Sequence, residues 1–140
     1  MTKTNECIFR VLGPPQGKAR PRVTRHGTYT PKRTRDYERA IRQAWQDAGA
    51  VSFGTAPVSV TLYAEFEPPK SLSKKKRLDL IDRGAPTKKP DADNILKAVC
   101  DALNGLAYAD DAQVVHAVIA KHYSETAALT VIICAYGEED

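Results

Sequence analysis

From residue 58 the chain alternates: Val58, Val60, Leu62, Ala64 and Phe66 are apolar, and Ser59, Thr61, Tyr63, Glu65 and Glu67 fill the places between them. A period of two puts one set on one face, so this stretch predicts a half-buried strand, closed by Pro68-Pro69. Cys7-Ile8-Phe9-Arg10-Val11-Leu12 predicts an earlier strand, ended by Gly13-Pro14-Pro15, with a polar loop following to about Thr30. The period then lengthens. Tyr37, Ile41, Ala44, Trp45 and Ala48 share one helical face, which predicts a helix over about 34–48 with Thr34 as its cap and Gly49 as its stop. A second helix runs from Ser71 or Ser73 to about Arg83 and stops at Gly84; a third runs from Asp93, as N-cap, to about Asn104 and stops at Gly105. Two apolar runs, 114–123 and 127–136, joined by Ser124-Glu125-Thr126, read as a closing hairpin. The order βαβααββ implies a single α+β (α/β mixed) domain over 1–140, a small mixed sheet with helices packed against it.

Composition bounds this picture. At 140 residues and 42% hydrophobic content, one core forms without disulfides or structural metals. Cys7, Cys100 and Cys134 are odd in number, widely spaced and set in apolar stretches, so they read as reduced core thiols. The start of the chain shows no apolar run behind a basic region, and no later stretch has the length of a membrane span. The expectation is a cytoplasmic protein without a membrane partner.

Charge changes the picture most. Residues 1–50 carry eleven Lys and Arg against four Asp and Glu, residues 51–90 eight against four, and residues 91–140 two against nine. A basic first part and an acidic last part suit a phosphate-binding surface beside a cation site, because Lys and Arg neutralise a polyanion while carboxylates collect its metal. Lys32, Arg33 and Arg35 crowd the start of the first predicted helix, and Lys74, Lys75, Lys76 and Arg77 the start of the second. Cations there oppose the helix dipole at roughly 0.3–1 kcal/mol each. A phosphate backbone at the helix N-terminus would offset that cost.

The acids come in two groups, Asp91-Ala92-Asp93-Asn94 and Asp110-Asp111. Hard divalent cations take oxygen ligands, and magnesium keeps several waters, so one to three carboxylates that leave room for a phosphate are the expected protein share. Three ionised carboxylates about 5 Å apart would repel by roughly 3 kcal/mol per pair at an effective dielectric of about 20. A bound divalent ion removes the conflict. Ile95, Leu96, Val99, Ala102 and Leu103 form the core stripe of the third helix, which leaves Asp93, Lys97, Asp101 and Asn104 on its other side. Lys97 thus shares a face with Asp93, but it is also one turn from Asp101 and could simply pair with it. Asp110 and Asp111 lie in or just before a strand, where neighbours point to opposite faces, so one of them reaches the other acids and spacing does not say which. His116 and His122 read as strand residues, and Tyr37 and Trp45 as core.

Lys89-Pro90-Asp91-Ala92-Asp93-Asn94-Ile95-Leu96-Lys97, Asp101-Ala102-Leu103-Asn104-Gly105 and Asp110-Asp111-Ala112-Gln113-Val114 together resemble the signature of RusA-type Holliday junction resolvases, the crossover-junction endodeoxyribonucleases of bacteria and their phages. Pro15-Gln16-Gly17-Lys18-Ala19-Arg20-Pro21-Arg22, with Tyr29-Thr30-Pro31, is similar to the phage-like branch. The resemblance implies a homodimeric enzyme that uses magnesium, with manganese as a substitute, to place paired nicks in four-way DNA junctions. It implies Asp91, Asp93 and Asp111 as metal-binding carboxylates, Lys97 as an essential accessory cation and Asp110 as a lesser neighbour. Lys18, Arg20, Arg22, Lys32, Arg33, Arg35, Lys74, Lys75, Lys76, Arg77, Lys88 and Lys89 are the candidate DNA contacts. Two other readings compete: a non-catalytic basic DNA-binding module with a structural metal, and a phosphotransferase with Asp91 as nucleophile. The second fits poorly, since such motifs end apolar strands and Thr87-Lys88-Lys89-Pro90 is polar and basic.

Overall fold

The computed structural model describes residues 6–137. Residues 1–5, part of the starting stretch whose apolar and basic pattern was considered above, lie outside the described residues. The elements in chain order are β1 (Glu6–Leu12), β2 (Arg22–Thr24), β3 (Gly27–Tyr29), α1 (Lys32–Asp47), β4 (Val58–Phe66), α2 (Lys74–Arg83), α3 (Ala92–Leu103), a short 3₁₀ turn (Asp111–Gln113), β5 (Val114–Tyr123) and β6 (Ala128–Ala135). A mixed four-stranded sheet of order β1-β6-β4-β5 carries the domain, and β2 and β3 form a separate small hairpin.

The alternation around residue 60 does what its period requires. Val58, Val60, Leu62 and Ala64 are all fully buried, as are Leu129, Val131 and Ile133 beside them on β6. Cys7, Phe9 and Val11 extend the same face onto β1. Against it pack α1 through Tyr37, Ile41 and Trp45 and α3 through Ile95, Val99 and Leu103. The Phe9 and Trp45 rings meet edge to face at 6.4 Å, a favoured aromatic geometry. The opposite sheet face is open, with Ile8, Tyr63 and Val118 exposed.

Two elements differ from expectation. The last two strands do not form a hairpin with each other: β4 lies between them, parallel to β5 and antiparallel to β6. β4 has apolar side chains at every inward position and lies inside the sheet, so both apolar runs flank it. Parallel pairing needs a long crossover, which α2 and α3 supply between β4 and β5. The chain from β5 then passes the end of β4, where Ser124 N–H donates to the Phe66 carbonyl at 2.8 Å. The other difference is the β2–β3 hairpin inside the stretch expected to be a loop.

Helix starts also shift. α1 begins at Lys32 behind Pro31. Thr34, expected as the cap, sits inside the helix, buried, where its Oγ1 accepts from Ala19 N–H at 3.3 Å and so ties down the preceding loop. α2 starts as expected, with the Ser73 side chain accepting from Lys76 N–H. α3 begins two residues early, so Asp91 and not Asp93 occupies the N-cap, and Asp93 lies in the first turn. Its end is as expected: Gly105 takes φ +79°, a left-handed conformation that glycine adopts at little cost. Among the described residues, no helix is long and apolar enough to cross a membrane.

Candidate active site

α3 organises the site because it presents acids and cations from the side not used for packing. Asp91 and Asp93 stand exposed at its N-terminus, near the positive end of the helix dipole, where negative charge is favourable. Asp91 makes no side-chain capping bond, which leaves both its carboxylate oxygens available. One turn on, Lys97 is 61% exposed and reaches Asp101 Oδ2 at 3.4 Å. The i,i+4 pairing is therefore the arrangement that forms, with the ammonium still open to solvent.

Asp111 comes from the other end of the sequence motif. The 3₁₀ turn that carries it packs on α3. Burial pushes the Cys100 thiol up to about 11, with the charges of Asp111 and Asp101 adding to the effect, so this thiol is protonated at neutral pH. Burial raises Cys7 and Cys134 as well, and all three cysteines are free.

Asp110 and Asp111 do not sit in a strand, so side-chain alternation does not decide between them. Gln113 fixes the turn. Its Oε1 accepts from Asp110 N–H, and its Nε2 donates to the carbonyls of Gly54 and Ala56, each at 2.8 Å. One amide thus anchors the acidic turn to the loop before β4. Gln113→Ala should cost about 1–3 kcal/mol, the net worth of two or three such bonds, and should lower activity beyond the stability loss because Asp111 is no longer held. Thermal melts paired with cleavage rates at a temperature where the variant is fully folded check this; an unchanged rate would mean that the turn holds itself.

The structure divides the candidate DNA contacts. Residues 14–20, Arg33 of α1 and Lys89, Pro90, Asp91 and Asn94 line a groove of about 870 Å³ that brings Lys18, Arg20, Arg33 and Lys89 to the edge of Asp91. The two walls touch closely: a Cβ at Gly17 would lie 2.9 Å from Asn94 Cβ and 3.2 Å from Pro90 Cβ. Lys18 N–H donates to the Asn94 carbonyl at 3.0 Å. Arg22 lies on the exposed β2, and Lys32 and Arg35 stand exposed at the start of α1, where Lys32 pairs with Asp36 at 2.7 Å. Lys74, Lys75 and Lys76 are exposed on α2, outside this groove, while the buried Arg77 Nε has no hydrogen-bond partner. Lys88 and Lys89 are exposed just before Asp91.

Two arrangements in the site carry no signal in the sequence. Lys121 of β5 donates from Nζ to the Lys88 carbonyl at 2.7 Å and lies 5.6 Å from the centre of the Phe66 ring, holding the approach to Asp91 against the sheet. Lys18, expected to contact DNA, is instead only 17% exposed, with its Nζ 2.6 Å from Glu38 Oε2 and 3.3 Å from Asp101 Oδ2. Burial alone would lower this ammonium, but the bonds and charges of Glu38 and Asp101 outweigh it and hold it above its ordinary value. His116 shares a hydrogen bond with Ser59 at 3.1 Å and stacks on Tyr136, and His122 is exposed beside Tyr63. Tyr37 and Trp45 are core.

Among the described residues, no three His, Cys, Asp or Glu side chains stand close enough to enclose one ion. The chemistry of the donors still suits magnesium. Asp91, Asp93, Asp110 and Asp111 are hard oxygen donors that enter no ion pair among the described residues. Magnesium is usually held by one or two carboxylates with waters and substrate phosphate completing the shell, so a closed protein cage is not required.

Comparison with known proteins identifies the family. Residues 13–134 match the model of the family described as endodeoxyribonuclease RusA. The chain is also 36% identical over 136 residues to the uncharacterized protein YqaN of Bacillus subtilis (strain 168), covering 91% of this chain and 96% of that protein. A match spanning both the groove loop and both acidic segments places the chain in the endodeoxyribonuclease RusA family.

Proposed function

We propose that the protein is a magnesium-dependent endodeoxyribonuclease that resolves four-way DNA junctions by paired symmetric nicks, working as a homodimer in recombination and repair. The observation that carries this reading is the basic groove that ends at Asp91, the N-cap of the helix against which the turn bearing Asp111 packs. Arg20, Arg33 and Lys89 are exposed along the groove and suit a phosphate backbone running toward the acids.

Asp91, Asp93 and Asp111 are the residues that would hold the ion, with Asp110 as a neighbour. Magnesium, or manganese in its place, supplies a charge that polarises the scissile phosphate and a water of lowered pKa. Lys97 stands one turn from Asp93 with an exposed ammonium, placed to stabilise negative charge as it develops on the phosphate. Asp91 and Asp93 gain from the helix dipole while they wait for a counter-ion. Two like subunits suit the pseudo-two-fold shape of a four-way junction, because each can address one of two opposed strands.

The test is incubation of the protein with synthetic four-way, Y-shaped and linear DNA, with and without magnesium. Symmetric nicks in the four-way substrate that appear only with the metal are expected. Binding without any cleavage would favour the DNA-binding module with a structural ion.

A further inference from the structure

Lys18 lines the groove, yet its ammonium is engaged within the protein. Its ammonium bridges α1 and α3 through Glu38 and Asp101, and its own backbone N–H is held by Asn94. The same oxygen, Asp101 Oδ2, also takes Lys97, at 3.4 Å against 3.3 Å for Lys18. One carboxylate therefore serves two cations that differ sharply in access: the Lys18 side chain is 17% exposed and the Lys97 side chain 61%.

This sharing has a consequence for Lys97. When Lys97 leaves Asp101 for a phosphate, Asp101 is not stranded in a partly buried place, because Lys18 remains on it. Without Lys18, Asp101 would have Lys97 as its nearest cation and would hold it more tightly. Leaving a partly desolvated carboxylate unpaired is costly, so that hold would compete directly with the reaction.

We infer that Lys18 is a positioning residue that acts through Asp101 to keep Lys97 available, and not a contact to DNA. This rests on the junction-nuclease reading above. A DNA contact and a positioning residue differ in what they change. Loss of a phosphate contact weakens binding and flattens its salt dependence by about 0.9 per contact. Loss of a positioning residue lowers kcat while binding and its salt slope stay as they were.

The experiment is a double-mutant cycle of Lys18→Met and Asp101→Asn, read as kcat, KM and junction affinity across a salt series. Lys18→Met should lower kcat about tenfold with affinity and salt slope unchanged, and adding Asp101→Asn should restore most of the loss, since Lys97 is then released. Additive losses, or a weaker and flatter binding curve in Lys18→Met, would overturn the inference. A second readout needs no cleavage: competitive acetylation of the DNA-free protein should find Lys97 several-fold less reactive in Lys18→Met than in the unaltered chain. Equal reactivity would overturn the inference even if the protein cuts junctions, and failure of the unaltered protein to cut would count against the nuclease reading alone. If Lys18→Met does not fold, the same labelling on Lys18→Gln decides the matter.

Discussion

Asp91→Asn, Asp93→Asn and Asp111→Asn should each reduce junction cleavage in magnesium by about two orders of magnitude or more, the scale seen when a group that stabilises transition-state charge is removed. Junction binding should survive in all three, because the basic groove is untouched. The change from Asp to Asn keeps shape and most hydrogen bonding while deleting the charge that attracts a divalent ion, so the loss reports on charge and not on packing. The three side chains also enter no ion pair among the described residues, so their replacement strands no partner. Asp110→Asn should be milder than Asp111→Asn, since Asp111 opens the 3₁₀ turn that packs on α3 and Asp110 precedes it. The reverse order in a cleavage time course would exchange their roles. Full activity in any of the three Asn variants would remove that residue from the site.

The joint variant Arg20→Ala, Arg33→Ala and Lys89→Ala should bind four-way DNA far more weakly and with a much flatter salt response. These three cations line the groove beside Asp91 and are exposed. If each neutralises one phosphate, the slope of log affinity against log salt should fall by about 2.7, at roughly 0.9 per contact. Because affinity at low salt is dominated by counter-ion release, the loss should be largest there and shrink as salt rises. Fluorescence anisotropy with a labelled junction across a salt series measures it directly. A slope equal to that of the unaltered protein would place the strand elsewhere, with the exposed lysines of α2 as the next surface to test.

What the sequence made legible was whatever is written in local periodicity. The alternation through Val60 and Leu62 and the 3.6-residue spacing of Ile95, Val99 and Leu103 are consequences of burying one face, and those faces are buried. Pairing between strands is not local. The apolar runs of β5 and β6 gave no sign that β4 would lie between them, since a run buried in a sheet looks the same whichever neighbour it has. The β2–β3 hairpin was invisible for the opposite reason: its six residues are all exposed, so no alternation of burial marks them.

The acids of the candidate site were visible because charge is carried by residue type. Their surroundings were not. Lys18 looked like one more DNA contact in a basic loop, and its real partners, Glu38 and Asp101, stand on two different helices that only the fold brings together. Lys121 and Gln113 were missed in the same way, because each acts on a backbone carbonyl, and a carbonyl leaves no trace in residue identity. A 3₁₀ turn likewise stands where a strand would have sent Asp110 and Asp111 to opposite faces.

The central claim is that two acidic segments serve a single divalent ion. Paramagnetic broadening by manganese in the isotope-labelled protein, with a short DNA duplex present, tests it most directly. Amide signals of residues 91–94 and 110–113 should broaden together at low manganese, and Asp111→Asn should abolish the broadening at both. Broadening confined to one segment, or unchanged at 91–94 in Asp111→Asn, would contradict a shared ion.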